Sequence, residues 1–159
     1  MKGVFNRKPP KPKYTHTWDV DKVLNFLRKL SPVKHLNLKD LTLKLTMLMV
    51  LTNAARVQTI HLLSVKNVKK FSSEFVLQFR DLLKQSRPGF VCSLFKLKAY
   101  PPDRRLCVYT VLKEYLLRAK TLRKNVEDSL LISYIRPYKP VSRYTISRWV
   151  KTIMIRAGI

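Results

Sequence analysis

Glycine is scarce in this 159-residue chain, with three in all, and acids are outnumbered, nine against 33 lysines and arginines. So little glycine excludes collagen-like, flexible-linker and low-complexity classes. The two cysteines, Cys92 and Cys107, stand fifteen apart with no CxxC or HxxxH near them. That is too few for a disulfide scaffold, and the spacing excludes a structural zinc site. Long apolar runs are missing too; the best is Met47 to Leu51, preceded by Lys39 and Lys44. No segment therefore reads as a membrane span or signal peptide.

What is present is an ordinary apolar fraction, 46%, and a formal charge of +24. The first predicts one packed domain, or a piece of a larger protein. The second cannot be neutralised within the molecule, because pairing all nine carboxylates still leaves 24 cations. Such an excess repels itself unless a polyanion binds. Nucleic acid is the expected partner. A solvated basic surface or an anionic lipid surface are the alternatives, and lipid is disfavoured because no segment pairs a wholly cationic face with a Trp/Phe/Leu face.

Residues 1–17 place Pro9, Pro10 and Pro12 among Arg7, Lys8, Lys11 and Lys13, and read as an extended basic arm. Residues 18–159 carry the folding pattern. Asp19 caps a helix whose apolar face is Val20, Val23, Leu24, Leu27 and Leu30, with Trp18 and Val23 as a hydrophobic staple. Leu38 to Ala54 is apolar nearly all round and predicts a central buried helix. Val57 to Leu63 predicts a short helix. Alternation through Val68, Phe71, Phe75, Leu77 and Phe79 predicts two strands joined near Ser72 and Ser73, and Phe90 to Leu97 a third. Val108, Leu112, Tyr115, Leu116 and Ala119 mark another helix, and Leu130 to Ser133 a short buried extended segment. Ser142 caps the last helix, Val141 and Ile146 staple it, and Gly158 stops it. The fold class is α+β, mainly helical with a small three-stranded antiparallel sheet.

Two cations stand where chemistry is conceivable. Arg56 ends the most apolar helix, where a guanidinium is costly to bury and needs an anion, and no carboxylate occurs between Asp40 and Glu74. It either ties helices through backbone carbonyls or clamps a phosphate. Lys84 sits in the turn before Gly89, as a solvated turn lysine or as a proton donor to a leaving alkoxide. His16, His35 and His61 form no HxxR or HxH pattern and read as structural. A tyrosine could act as a nucleophile only if the fold set it beside Arg56. The nine acids are too dispersed for a two-metal nuclease, and no P-loop, GxGxxG or GxSxG occurs.

Ala55-Arg56 after a buried helix, a three-stranded hairpin bearing Lys84, and the helix Thr145-Ile146-Ser147-Arg148-Trp149 running to Ala157-Gly158-Ile159 together resemble the catalytic domain of tyrosine recombinases, the phage-integrase-like family. The likeness is to its eukaryotic branch in retrotransposons and related mobile elements. There, stretches similar to Lys11-Pro12-Lys13-Tyr14, Trp18-Asp19-Val20, Leu83 to Gly89 and Arg136 to Ser142 recur in this order. The resemblance implies a metal-free, cofactor-free attack of tyrosine on a DNA phosphate, with Arg56 stabilising the transition-state charge and Lys84 protonating the leaving 5′-oxygen. It implies duplex DNA as partner, no small-molecule substrate, a nuclear location, and a homo-oligomer on DNA in the full-length parent. Arg87, Ser142, Arg143, Thr145, Arg148 and Lys151 are the expected DNA contacts.

Two departures matter. Thr59 stands where bacterial members carry Glu, and the family's HxxR and nucleophilic tyrosine would follow Gly158. The expectation is a catalytic domain truncated before those residues, which binds DNA but does not cut it alone. The rival expectation is a non-catalytic basic nucleic-acid-binding module, a decayed remnant or an RNA-binding protein. An RNA-binder would expose aromatics on a sheet face, whereas Phe75, Leu77 and Phe79 read as core.

Overall fold

In the computed structural model, which describes residues 16–80, 94–124 and 128–159, Asp19 opens the first helix, α1 (Val20–Lys29), by accepting the Asp21 N–H at 2.9 Å. Val23 and Leu27 are its buried residues, but Val20 and Trp18 are exposed, so the predicted apolar face is narrower than the pattern implied.

Helix α2 (Leu38–Asn53) is the axis of the molecule. Asn37 caps it through the Asp40 N–H at 2.8 Å, and every residue from Leu41 to Met49 is buried. Burying Thr42 and Thr46 is tolerable because each hydroxyl donates to the carbonyl four residues earlier, at 2.7 and 2.8 Å. Lys44 is buried as well. Its Nζ donates to Leu30 O at 2.6 Å and lies 3.3 Å from Ser31 Oγ, which fastens the end of α1 onto α2.

After α2 come the short helix α3 (Val57–His61), the strands β1 (Lys69–Lys70), β2 (Glu74–Gln78) and β3 (Leu94–Lys98), then α4 (Val108–Lys120) and α5 (Arg143–Arg156). The class is α+β, mostly helical. The sheet is antiparallel in the order β1-β2-β3, with Lys70 opposite Phe75 and Leu77 opposite Phe95. Phe75 and Leu77 enter the core from one face, as alternation requires. The third strand begins at Leu94 among the described residues; the predicted start at Phe90 lies outside them.

Helix α2 packs chiefly on α4 and next on α5, and α3 packs on α5. Leu130, Leu131 and Ile132 run buried between them, bridged as Ser64 to Ser129 and Ile132 to Pro140. The Tyr115 hydroxyl, at the centre of α4, accepts the Ile132 N–H at 3.1 Å. Helix tying through carbonyls falls to Arg118, which donates to Leu36 O, to Lys34 O at 2.7 Å and to Val33 O at 3.2 Å while Glu114 holds its Nε at 2.8 Å.

Candidate nucleic-acid interface

Arg56 owes its position to a chain reversal. Ala54 adopts a left-handed conformation (φ 47), and the N–H groups of Ala54 and Ala55 both return to Val50 O, closing α2. Arg56 then serves as the backbone cap of α3, its carbonyl accepting the N–H of Ile60 at 3.2 Å, and Ile60 is 1% exposed. The backbone is pinned to the core while the side chain is exposed. This corrects the expectation of a guanidinium that burial forces onto an anion. Arg56 makes no ion pair or hydrogen bond through its side chain among the described residues, so it does not tie helices either.

At the other end of α3, His61 lies among cations. Its backbone carbonyl accepts Arg80 Nη2 at 2.5 Å, and the Arg80 N–H reaches Leu62 O at 2.8 Å. Partial burial, then Arg80 and more weakly Arg143, push the imidazole pKa below its ordinary value, against a hydrogen bond with the Val141 backbone. Thus α3, the end of β2 and the start of α5 bring Arg80, His61 and Arg143 together. His61 is a functional candidate that its isolated place in an apolar stretch did not reveal.

Helix α5 supplies most of the remaining predicted contacts. Ser142 caps it by accepting the Thr145 N–H at 3.3 Å, and the two hydroxyl oxygens are 3.3 Å apart. Their first task is therefore to hold the helix start. Arg148 Nη2 is 3.4 Å from Thr145 Oγ1, and the Arg143 guanidinium lies 5.2 Å from the exposed Tyr144 ring. Arg143, Arg148 and Lys151 are exposed, whereas Ile146, Trp149 and Ile153 face inward. None of the three cations pairs with a carboxylate among the described residues; Arg156, at the far end, pairs with Asp40 at 2.8 Å. Beside the first half of α5 lies a concavity of about 500 Å³, bounded by Lys139, Thr145, Arg148 and the stacked rings of Tyr134 and Trp149, 5.5 Å apart.

The predicted site residues Lys84 and Arg87 lie outside the described residues. No tyrosine hydroxyl is bonded to Arg56 among the described residues: Tyr115 is committed to Ile132, Tyr109 donates to Phe71 O at 2.8 Å, and Tyr144 stands by Arg143. No group of three or more His, Cys, Asp or Glu side chains capable of holding a metal occurs among the described residues. No helix among them is long and apolar enough to cross a membrane. What this arrangement offers chemically is exposed cationic donors, one beside a helix cap and others along α5, of the kind that make charge-assisted hydrogen bonds to anions. No family model matches the chain, and neither does any curated protein or solved structure.

Proposed function

We propose that this chain binds duplex DNA as part of a tyrosine-recombinase-like catalytic domain, serving recombination and integration of a mobile element in the nucleus, with assembly into a homo-oligomer on DNA in the parent protein. One observation carries the reading. Arg56, Arg143, Arg148 and Lys151 are exposed and without carboxylate partners among the described residues, on two helices packed against each other, in a chain of net charge +24. Phosphate is the anion that such a set accommodates, and Arg56, with its backbone anchored, is suited to one fixed phosphate. In the family's chemistry Arg56 stabilises charge at phosphorus and Lys84 donates a proton to the departing oxygen. The sequence holds no HxxR, so the chain alone binds without cutting.

Fluorescence anisotropy with duplex DNA, together with a nicked suicide substrate that traps covalent protein, tests both halves. Affinity should fall steeply with salt, by about 0.9 log unit per log unit for each phosphate neutralised. Arg56→Ala and Arg148→Ala should each lower that slope by about 1. A trapped adduct refutes the binding-only claim. Preference for structured RNA over duplex DNA at one salt concentration replaces the recombinase reading with its rival.

A further inference from the structure

The sheet has a second face, turned away from the core, and the register fixes what stands on it. Lys69, Val76 and Lys96 form its central row across β1, β2 and β3. Glu74 and Lys98 are paired in the next row, with Phe71 bonded to Glu74 O through its N–H at 2.8 Å. Gln78 and Leu94 form the third row, and Asn67 Nδ2 lies 3.5 Å from Gln78 Oε1. A concavity of about 210 Å³ opens on this face.

Its walls differ from those of a solvated sheet surface. Phe71 and Leu94 are each 50% exposed at opposite corners, while Val76 between them is 7% exposed. The Phe71 backbone is held on both sides, by Glu74 O and by the Tyr109 hydroxyl at 2.8 Å, so the half-exposed ring stands on a fixed support. Lys69 and Lys96 flank the apolar floor, and the Asn67 and Gln78 amides close one end. Against three lysines the face carries one carboxylate, Glu74.

We propose that this face seats an unstacked nucleotide of a single nucleic-acid strand. The base lies against Phe71 and Val76, its polar edge meets the Gln78 amide, and the adjoining phosphates meet Lys69 and Lys96. An aromatic platform between cations is the arrangement that binds single strands with little sequence preference. A duplex keeps its bases stacked and cannot use the ring, so this seat is distinct from the duplex surface on α3 and α5. Its charge excess selects a polyanion rather than a neutral apolar partner.

The test measures binding of the 159-residue chain to oligodeoxythymidine, to oligouridine and to duplex DNA at matched salt. Phe71→Leu keeps apolar bulk and removes the ring; it should weaken single-strand binding about 5- to 100-fold with duplex affinity unchanged. Phe71→Tyr should retain affinity. Lys69→Gln with Lys96→Gln should lower the single-strand salt slope by about 1.4. Loss on either oligomer supports the seat, and the better binder of the two identifies the sugar. Unchanged single-strand affinity in Phe71→Leu, an equal loss in Phe71→Tyr, or an equal loss on duplex overturns it. Duplex binding that persists through all variants leaves the proposed function standing even when the seat fails.

Discussion

At φ 47, Ala54 crowds its Cβ against its own backbone in a region glycine occupies freely. Relief of that strain outweighs the extra freedom glycine gives the unfolded chain. Ala54→Gly should therefore stabilise the protein by about 1 kcal/mol, seen as a rise of about 2–4 °C in melting temperature. A fall would mean that the reversal after α2 is held by something other than backbone preference. His61 offers a second residue-level check. Its pKa is held below the ordinary imidazole value by partial burial and then by neighbouring cations. A phosphate placed among Arg80 and Arg143 would cancel their field, so the NMR titration midpoint of His61 should rise when duplex DNA is added. No movement at saturating DNA would place the phosphates elsewhere.

At the level of elements, the link between α1 and α2 is the most informative. Lys44 is 0% exposed, and burial lowers its pKa from 10.5 to about 8, with Asp103 opposing and Arg105 adding to the shift. Between pH 8 and 10.5 the unfolded chain binds more protons than the folded one, so stability should climb across that interval. At about 1.4 kcal/mol per unit the climb is at most on the order of 3 kcal/mol. Chemical denaturation at stepped pH should show a steeper climb in the parent chain than in Lys44→Met, the difference between the two being the Lys44 contribution. Helix α5 gives a second check: Ser142→Ala removes its cap and should cost about 1 kcal/mol. These helices were legible in the sequence because their ends are chemically marked, by Asp19, Ser142 and Gly158, and because nine successive residues of α2 bury without a periodic polar face. The strand pair around Ser72 and Ser73 was legible from its alternation. The interior position of Lys44, the carbonyl-gathering role of Arg118 and the half-exposed ring of Phe71 were not, since each depends on which neighbour the fold brings opposite. Arg56 drew attention by its place after the apolar helix, but its exposure follows from the left-handed turn at Ala54, which no local pattern announces.

For the molecule as a whole, charge is the governing quantity. The described ion pairs consume Asp40, Asp103, Glu114 and Asp128, and none of them uses a residue of α3. The remaining cations repel one another in the compact state, and salt shortens the range of that repulsion to about 8 Å at physiological strength. Thermal stability should therefore increase between 50 mM and 300 mM sodium chloride, while affinity for duplex DNA falls over the same range. If both quantities moved down together, self-repulsion would not be what limits the free protein.

Because α3 grips Arg56 by its main chain alone, the side chain can be deleted without loosening the scaffold around it. Arg56→Ala then removes one guanidinium from a fixed address on the exposed surface, which a small soluble cation such as methylguanidinium, held by the facing phosphate, could replace. Recovery of DNA affinity by that additive, with none from methylammonium, would read out planar forked recognition rather than charge, one functional group at a time.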